Sequence, residues 1–189
     1  MQKTVLKYPK KSRKTHEKGK ELWQGQRSDK SLSNEWWTQD RLFKELCKEY
    51  KVRPKLDVAA TYRNAKCEWY IGKRANGVSL DTPWTIPKNK RVTVWCNPPN
   101  EFLQEFLFKA YWEWVESGCK QKILMIVPTN CMSSNGFWLN VQLPMDFGEK
   151  IFYRPIRGRP EFLENGSIAD SSARNAYIVI GWGIDNPHQ

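Results

Sequence analysis

Histidine is almost absent from this sequence: His16 and His188 are the only two in 189 residues. The five cysteines, at 47, 67, 96, 119 and 131, are odd in number and contain no Cys-x-x-Cys pair. A zinc site therefore lacks an adequate ligand set, and the expectation is reduced core thiols in a cytoplasmic protein. No apolar run reaches the length of a membrane span, and the lysine-rich start lacks the apolar stretch of a secretory signal. Acidic residues are scarce too. Twenty Asp and Glu face 31 Lys and Arg, giving a net charge of +11 and an isoelectric point near 9.5. Such a balance suits a polyanionic partner, though it speaks to association and not to fold.

What is present points to a globular chain. A hydrophobic content of 40% with 27% charged residues supports one domain with a sizeable core. Ten tryptophans are many for this length, and a surplus beyond the core suits the stacking of bases. Charge is unevenly spread. Residues 1–30 hold ten Lys or Arg against three acids and few large apolar side chains, which predicts a flexible basic arm ahead of a domain over 31–189. The arm suits nucleic-acid contact, and a solubilising tail has the same composition.

Arg91-Val92-Thr93-Val94-Trp95-Cys96 reads as a strand that stops at Asn97-Pro98-Pro99-Asn100. The proline after Asn97 holds it extended. The stiff turn then gathers acceptors, the Asn97 side-chain oxygen plus backbone carbonyls, at the strand's carboxyl end. Acceptors on both hydrogens of an amine favour the electron-rich nitrogen that attacks an electrophile. An ordinary strand-ending turn uses the same residues.

Along the rest of the chain, Thr38 is expected to cap a helix over 41–50 whose Leu42, Phe43, Leu46 and Tyr50 share one face. Pro54 to Thr61 predicts a short strand with Asp57 at its carboxyl end, where Ala59 and Ala60 permit close approach of a nucleoside-like ligand. No Gly-x-Gly accompanies it, and an acid ending a strand is also an ordinary cap. Residues 62–90 read as irregular. Phe102, Phe106, Leu107, Ala110, Tyr111 and Trp114 follow a helical period up to Gly118. The apolar runs Lys122–Pro128 and Tyr177–Trp182 read as strands buried on both faces. Strand, amphipathic helix, strand predicts an α/β fold with a mostly parallel sheet. Arg154 to Pro160 reads as a basic loop or a solvated turn.

Three stretches occur in order: Glu35-Trp36-Trp37-Thr38; Leu56-Asp57-Val58-Ala59-Ala60-Thr61 with Asn64-Ala65-Lys66-Cys67; and Trp95-Cys96-Asn97-Pro98-Pro99. The set resembles the bacteriophage-type DNA N-6-adenine methyltransferases over roughly residues 33 to 182. The resemblance implies a Rossmann-like class I methyltransferase domain using S-adenosylmethionine, acting on double-stranded DNA with the adenine flipped out, and needing no metal. It implies that Trp37, Thr38, Asp57, Ala59, Ala60 and Asn64 hold the cofactor, while Asn97, Pro98, Pro99 and Asn100 receive the base. Arg157-Gly158-Arg159-Pro160-Glu161-Phe162 is similar to a later family segment, making Arg157 and Arg159 candidates for DNA contact. Two departures stand out. The family follows Asn-Pro-Pro with an aromatic that stacks on the base, where this chain has Asn100; Phe102, Phe137 or Trp138 are candidate substitutes. Asn76-Gly77-Val78 stands where the family shows Asp-Gly-Leu. The other readings are an RNA adenine or protein glutamine methyltransferase, and a non-catalytic nucleic-acid-binding protein of the same fold.

Overall fold

The computed structural model describes residues 20–21, 36–72, 78–158, 160–164, 167–168 and 176–188. In chain order these form β1 (Lys20–Glu21), β2 (Trp36–Thr38), α1 (Asp40–Glu49), β3 (Leu56–Ala60), β4 (Trp69–Gly72), α2 (Val78–Asp81) and β5 (Val94–Cys96). A short 3-10 turn, Asn100–Phe102, leads into α3 (Leu103–Glu116), followed by β6 (Ile123–Pro128). A second 3-10 turn, α4 (Asn135–Phe137), a π turn (Trp138–Gln142) and α5 (Leu143–Asp146) lead to β7 (Ile151–Pro155), β8 (Phe162–Glu164), β9 (Ser167–Ile168) and β10 (Tyr177–Trp182).

Among the described residues the main sheet has seven strands in the order β1-β4-β3-β5-β6-β10-β7. Pairings from β1 through β6 are parallel. The Tyr177–Trp182 run is a buried strand as expected, and it lies antiparallel between β6 and β7, the antiparallel part of a mostly parallel sheet. An apolar run records burial on both faces and carries no strand direction. The irregular reading of 62–90 fails at Trp69–Gly72, where three bulky β-formers make β4. Of the basic arm, Lys20 and Glu21 pair with β4 at the sheet edge; the rest of 1–19 and 22–30 lies outside the described residues.

Strand alternation divides the core. Val94 and Cys96 of β5, Ile123, Met125 and Val127 of β6, and Ile178, Ile180 and Trp182 of β10 face one side. There they meet Leu103, Phe106, Leu107, Ala110 and Trp114 of α3. Trp95, Leu124, Ile126 and Val179 face the other side, against Leu46 and the partly buried Leu42 and Phe43 of α1. Successive strand side chains point to opposite faces, so a continuous apolar run serves both layers. Helix α3 ends where Gly118, at φ +69°, takes the left-handed conformation. The Gly118 and Cys119 amides then donate back to the Val115 and Trp114 carbonyls.

Two local expectations need correction. Gln39, not Thr38, is the N-cap of α1, and it makes no side-chain cap bond. Thr38 instead ends β2, which pairs antiparallel with β8 in a second sheet, β2-β8-β9. Of the thiols, Cys67, Cys96 and Cys131 are buried, Cys47 is half-buried, and Cys119 is exposed rather than in the core.

Candidate active site at the split between two central strands

The chain passes from β3 to β4 on one side and later to β5 on the other, so β3 and β5 flank the point where strand order reverses. Crevices at the carboxyl ends of strands beside such a point are where α/β sheets take ligands. Here β3 and β5 pair only at Leu56–Val94 and Asp57–Trp95. Beyond that the strands part, and a narrow crevice opens whose lining includes Trp37, Thr38, Asp57, Ala59, Asn64, Lys66 and Asn97.

Asp57 is the second residue of β3 rather than its end, and is 3% exposed. Its Oδ1 accepts the Ala59 N–H at 3.2 Å and its Oδ2 accepts the Lys66 N–H at 3.0 Å. A buried carboxylate costs several kcal/mol unless donors surround it; here those donors are the backbone of the loop it shapes. Asn64 closes the same loop, its Oδ1 accepting the Thr61 N–H at 2.6 Å and the Thr61 hydroxyl at 3.0 Å. Ala59 and Ala60 are both buried. Sequence reasoning missed Lys66 as a lining residue. Its side chain, only 10% exposed, reaches Asp40 at the start of α1 with Nζ 2.5 Å from Oδ1. The signal was its place in Asn64-Ala65-Lys66-Cys67.

Asn97 follows the last residue of β5. Its Nδ2 donates to Thr38 Oγ1 at 3.1 Å, which ties the end of β5 to β2, and Thr38 is 2% exposed. Opposite Thr38 across the β2–β8 ladder stands Phe162, packed on Tyr177 with ring centroids 4.7 Å apart. The Trp36-Trp37-Thr38, Asn97-Pro98-Pro99 and Pro160-Glu161-Phe162 stretches, far apart in sequence, thus meet at one place. Below Asn97 the Cys96 thiol is held neutral, pushed well up by burial first and by the Asp57 charge second. It is no nucleophile.

The Asn97-Pro98-Pro99 turn leads straight into a helix. The Phe102 N–H donates to the Pro99 carbonyl at 3.1 Å, which draws that carbonyl into the first helical turn. Asn100 is exposed and borders a larger groove shared with Gln104, Asn130, Ser134 and Asn135. The three candidate substitute rings differ in access. Phe137 is buried and meets Tyr153 edge-on at 5.2 Å, Phe102 is half-buried against the core, and Trp138 is 52% exposed. None of the three borders the crevice or that groove. Arg157 is exposed in the bend after β7; Arg159 and Asn76-Gly77 lie outside the described residues. No helix among the described residues is long and apolar enough to cross a membrane.

A comparison with curated proteins finds no match. The family model described as DNA N-6-adenine-methyltransferase (Dam) matches residues 25–182. That span takes in the crevice, the Asn97 turn and all strands from β2 to β10, and on it the chain belongs to the DNA N-6-adenine-methyltransferase family.

Proposed function

We propose that this chain is an S-adenosylmethionine-dependent DNA adenine-N6 methyltransferase with a Rossmann-like class I domain over 31–189. A basic segment, residues 1–30, precedes it and lends Lys20–Glu21 to the edge of its sheet. The observation that carries the reading is the bond from Asn97 Nδ2 to Thr38 Oγ1 at the mouth of the crevice, in a chain of this family. A strand order with the switch point between β3 and β5, and one antiparallel strand inserted near the far edge, supports the fold assignment.

The residues suit the cofactor. The narrow crevice has a loop organised by a carboxylate, and Ala59 adds little side-chain bulk to its wall. Trp37, Thr38, Asp57, Ala59, Ala60 and Asn64 would hold it. Bound there, S-adenosylmethionine supplies an electrophilic methyl group on a sulfonium sulfur. The protein's part is to present the amine. The acceptors offered to the two amine hydrogens would be Asn97 Oδ1 and a backbone carbonyl of the Pro98-Pro99 turn. Two prolines keep that pair rigid, so alignment costs little at the moment of reaction. A target inside a duplex must leave the stack to reach such a pocket, as in base-modifying enzymes generally. The net charge of +11 favours the polyanion.

The test is tritium transfer from labelled S-adenosylmethionine into duplex DNA, followed by nucleoside analysis. The expected product is N6-methyldeoxyadenosine. Asn97→Ala should lower turnover by about 10²–10³-fold, the typical effect of removing one preorganised donor or acceptor. DNA binding without any label transfer makes the chain a non-catalytic binder, and label confined to RNA changes the substrate.

A further inference from the structure

We propose that the outer face of α3 is a two-fold interface with a second copy of this chain. One face of α3 is buried in the core. Its opposite face carries Glu105, Phe108, Trp112 and Val115, and Glu101 of the preceding 3-10 turn extends the line, the five spaced alternately four and three residues apart and all exposed. That spacing makes a straight seam along a helix, the pattern by which one helix packs on another. Phe108, Trp112 and Val115 are 57%, 50% and 38% exposed, and the Phe108 and Trp112 rings stack with centroids 6.2 Å apart. Leu139, 55% exposed, borders the same groove as Phe108 and widens the patch. A contiguous apolar patch of this kind marks an interaction site. None of the described residues is seated over it.

Charge selects the occupant. The acids Glu101 and Glu105 lie at the amino end of the seam, which sets it against DNA phosphates. The exposed cations Lys88, Lys90 and Arg91 share a groove with Trp112 and Glu116 towards the carboxyl end. A second α3 running antiparallel, and crossing between Phe108 and Trp112, sets each Phe108 on the partner copy's Trp112. It also brings Glu101 and Glu105 beside the partner copy's basic loop. A parallel pairing would set acid against acid. The face is therefore complementary to itself under a two-fold rotation, the requirement for an isologous dimer. A helix of 14 residues spans about 21 Å, so Leu139 and the 88–91 loop must join it to approach the roughly 800 Å² per partner of a standard interface. That makes the dimer concentration-dependent. The proposal is independent of the methyltransferase reading.

Sedimentation velocity on the full chain across a concentration series tests it. The expected result is a reversible monomer–dimer equilibrium. Trp112→Glu should give a monomer at every concentration with unchanged circular dichroism. Glu105→Lys, a surface change that leaves the core alone, should weaken the dimer several-fold, and adding Arg91→Glu to the same chain should recover it. A monomer for the unaltered chain at all concentrations overturns the proposal, whether DNA or the chain's own segment 1–30 then proves to cover the seam. A dimer indifferent to all three substitutions overturns it equally.

Discussion

Thr38→Val removes one oxygen from a buried, β-branched side chain and keeps its shape. Thr38 is 2% exposed, and its hydroxyl is the acceptor for Asn97 Nδ2 at 3.1 Å. Valine suits the β2 position, so the ladder to β8 persists. What changes is the amide, whose nitrogen loses its bond to the Thr38 hydroxyl in a part-buried setting. Removing one partner of such a bond costs about 1–2 kcal/mol where solvent has partial access. The amide relieves that cost by rotating, which carries Oδ1 off the amine. Turnover should then fall about 5- to 30-fold, from 1.36 kcal/mol per decade. DNA affinity should hold, because the penalty falls on alignment. Thr38→Ser, which restores the oxygen, should recover most of the activity, whereas a purely packing role would leave the serine variant as poor as the valine one. The assay is single-turnover tritium transfer at saturating cofactor and DNA, with thermal melting to confirm an intact fold. An intact Thr38→Val protein with unaltered single-turnover rate would refute the positioning argument.

Three further outcomes are expected. Asp57→Ala should leave the Ala59 and Lys66 amides without their acceptor, weakening S-adenosylmethionine binding by calorimetry and lowering the melting temperature, with DNA affinity little changed. Removing residues 1–18 deletes seven basic side chains while sparing the Lys20–Glu21 strand. The slope of log affinity for duplex DNA against log salt should become shallower by roughly 0.9 for each phosphate the arm had neutralised; an unchanged slope denies the arm a part in binding. With a thiol reagent at pH 8 and dilute native protein, exposed Cys119 should react first. Cys47, its thiol pushed up to about 11 by burial, holds about one thiolate in a thousand at that pH and should lag, and Cys67 and Cys96 should react only on unfolding.

The sequence by itself determined the parts that depend on neighbours in the chain. Helix α3 and its end at Gly118 follow from a 3.6-residue period and a glycine able to take positive φ. The strand stop at Asn97 follows from two prolines, and the buried runs 123–128 and 177–182 follow from unbroken apolar character. Three ordered motifs sufficed for the family. The tertiary structure decided the rest, because strand direction and pairing are long-range choices that no local pattern encodes. It turned Tyr177–Trp182 antiparallel, made β4 from a segment read as irregular, and moved Thr38 from a helix cap to a strand end. There its hydroxyl meets an amide 59 positions away. It also made Asp57 an organiser of its own loop, since a carboxylate shut away from water must find donors, and the nearest were the backbone amides folded around it.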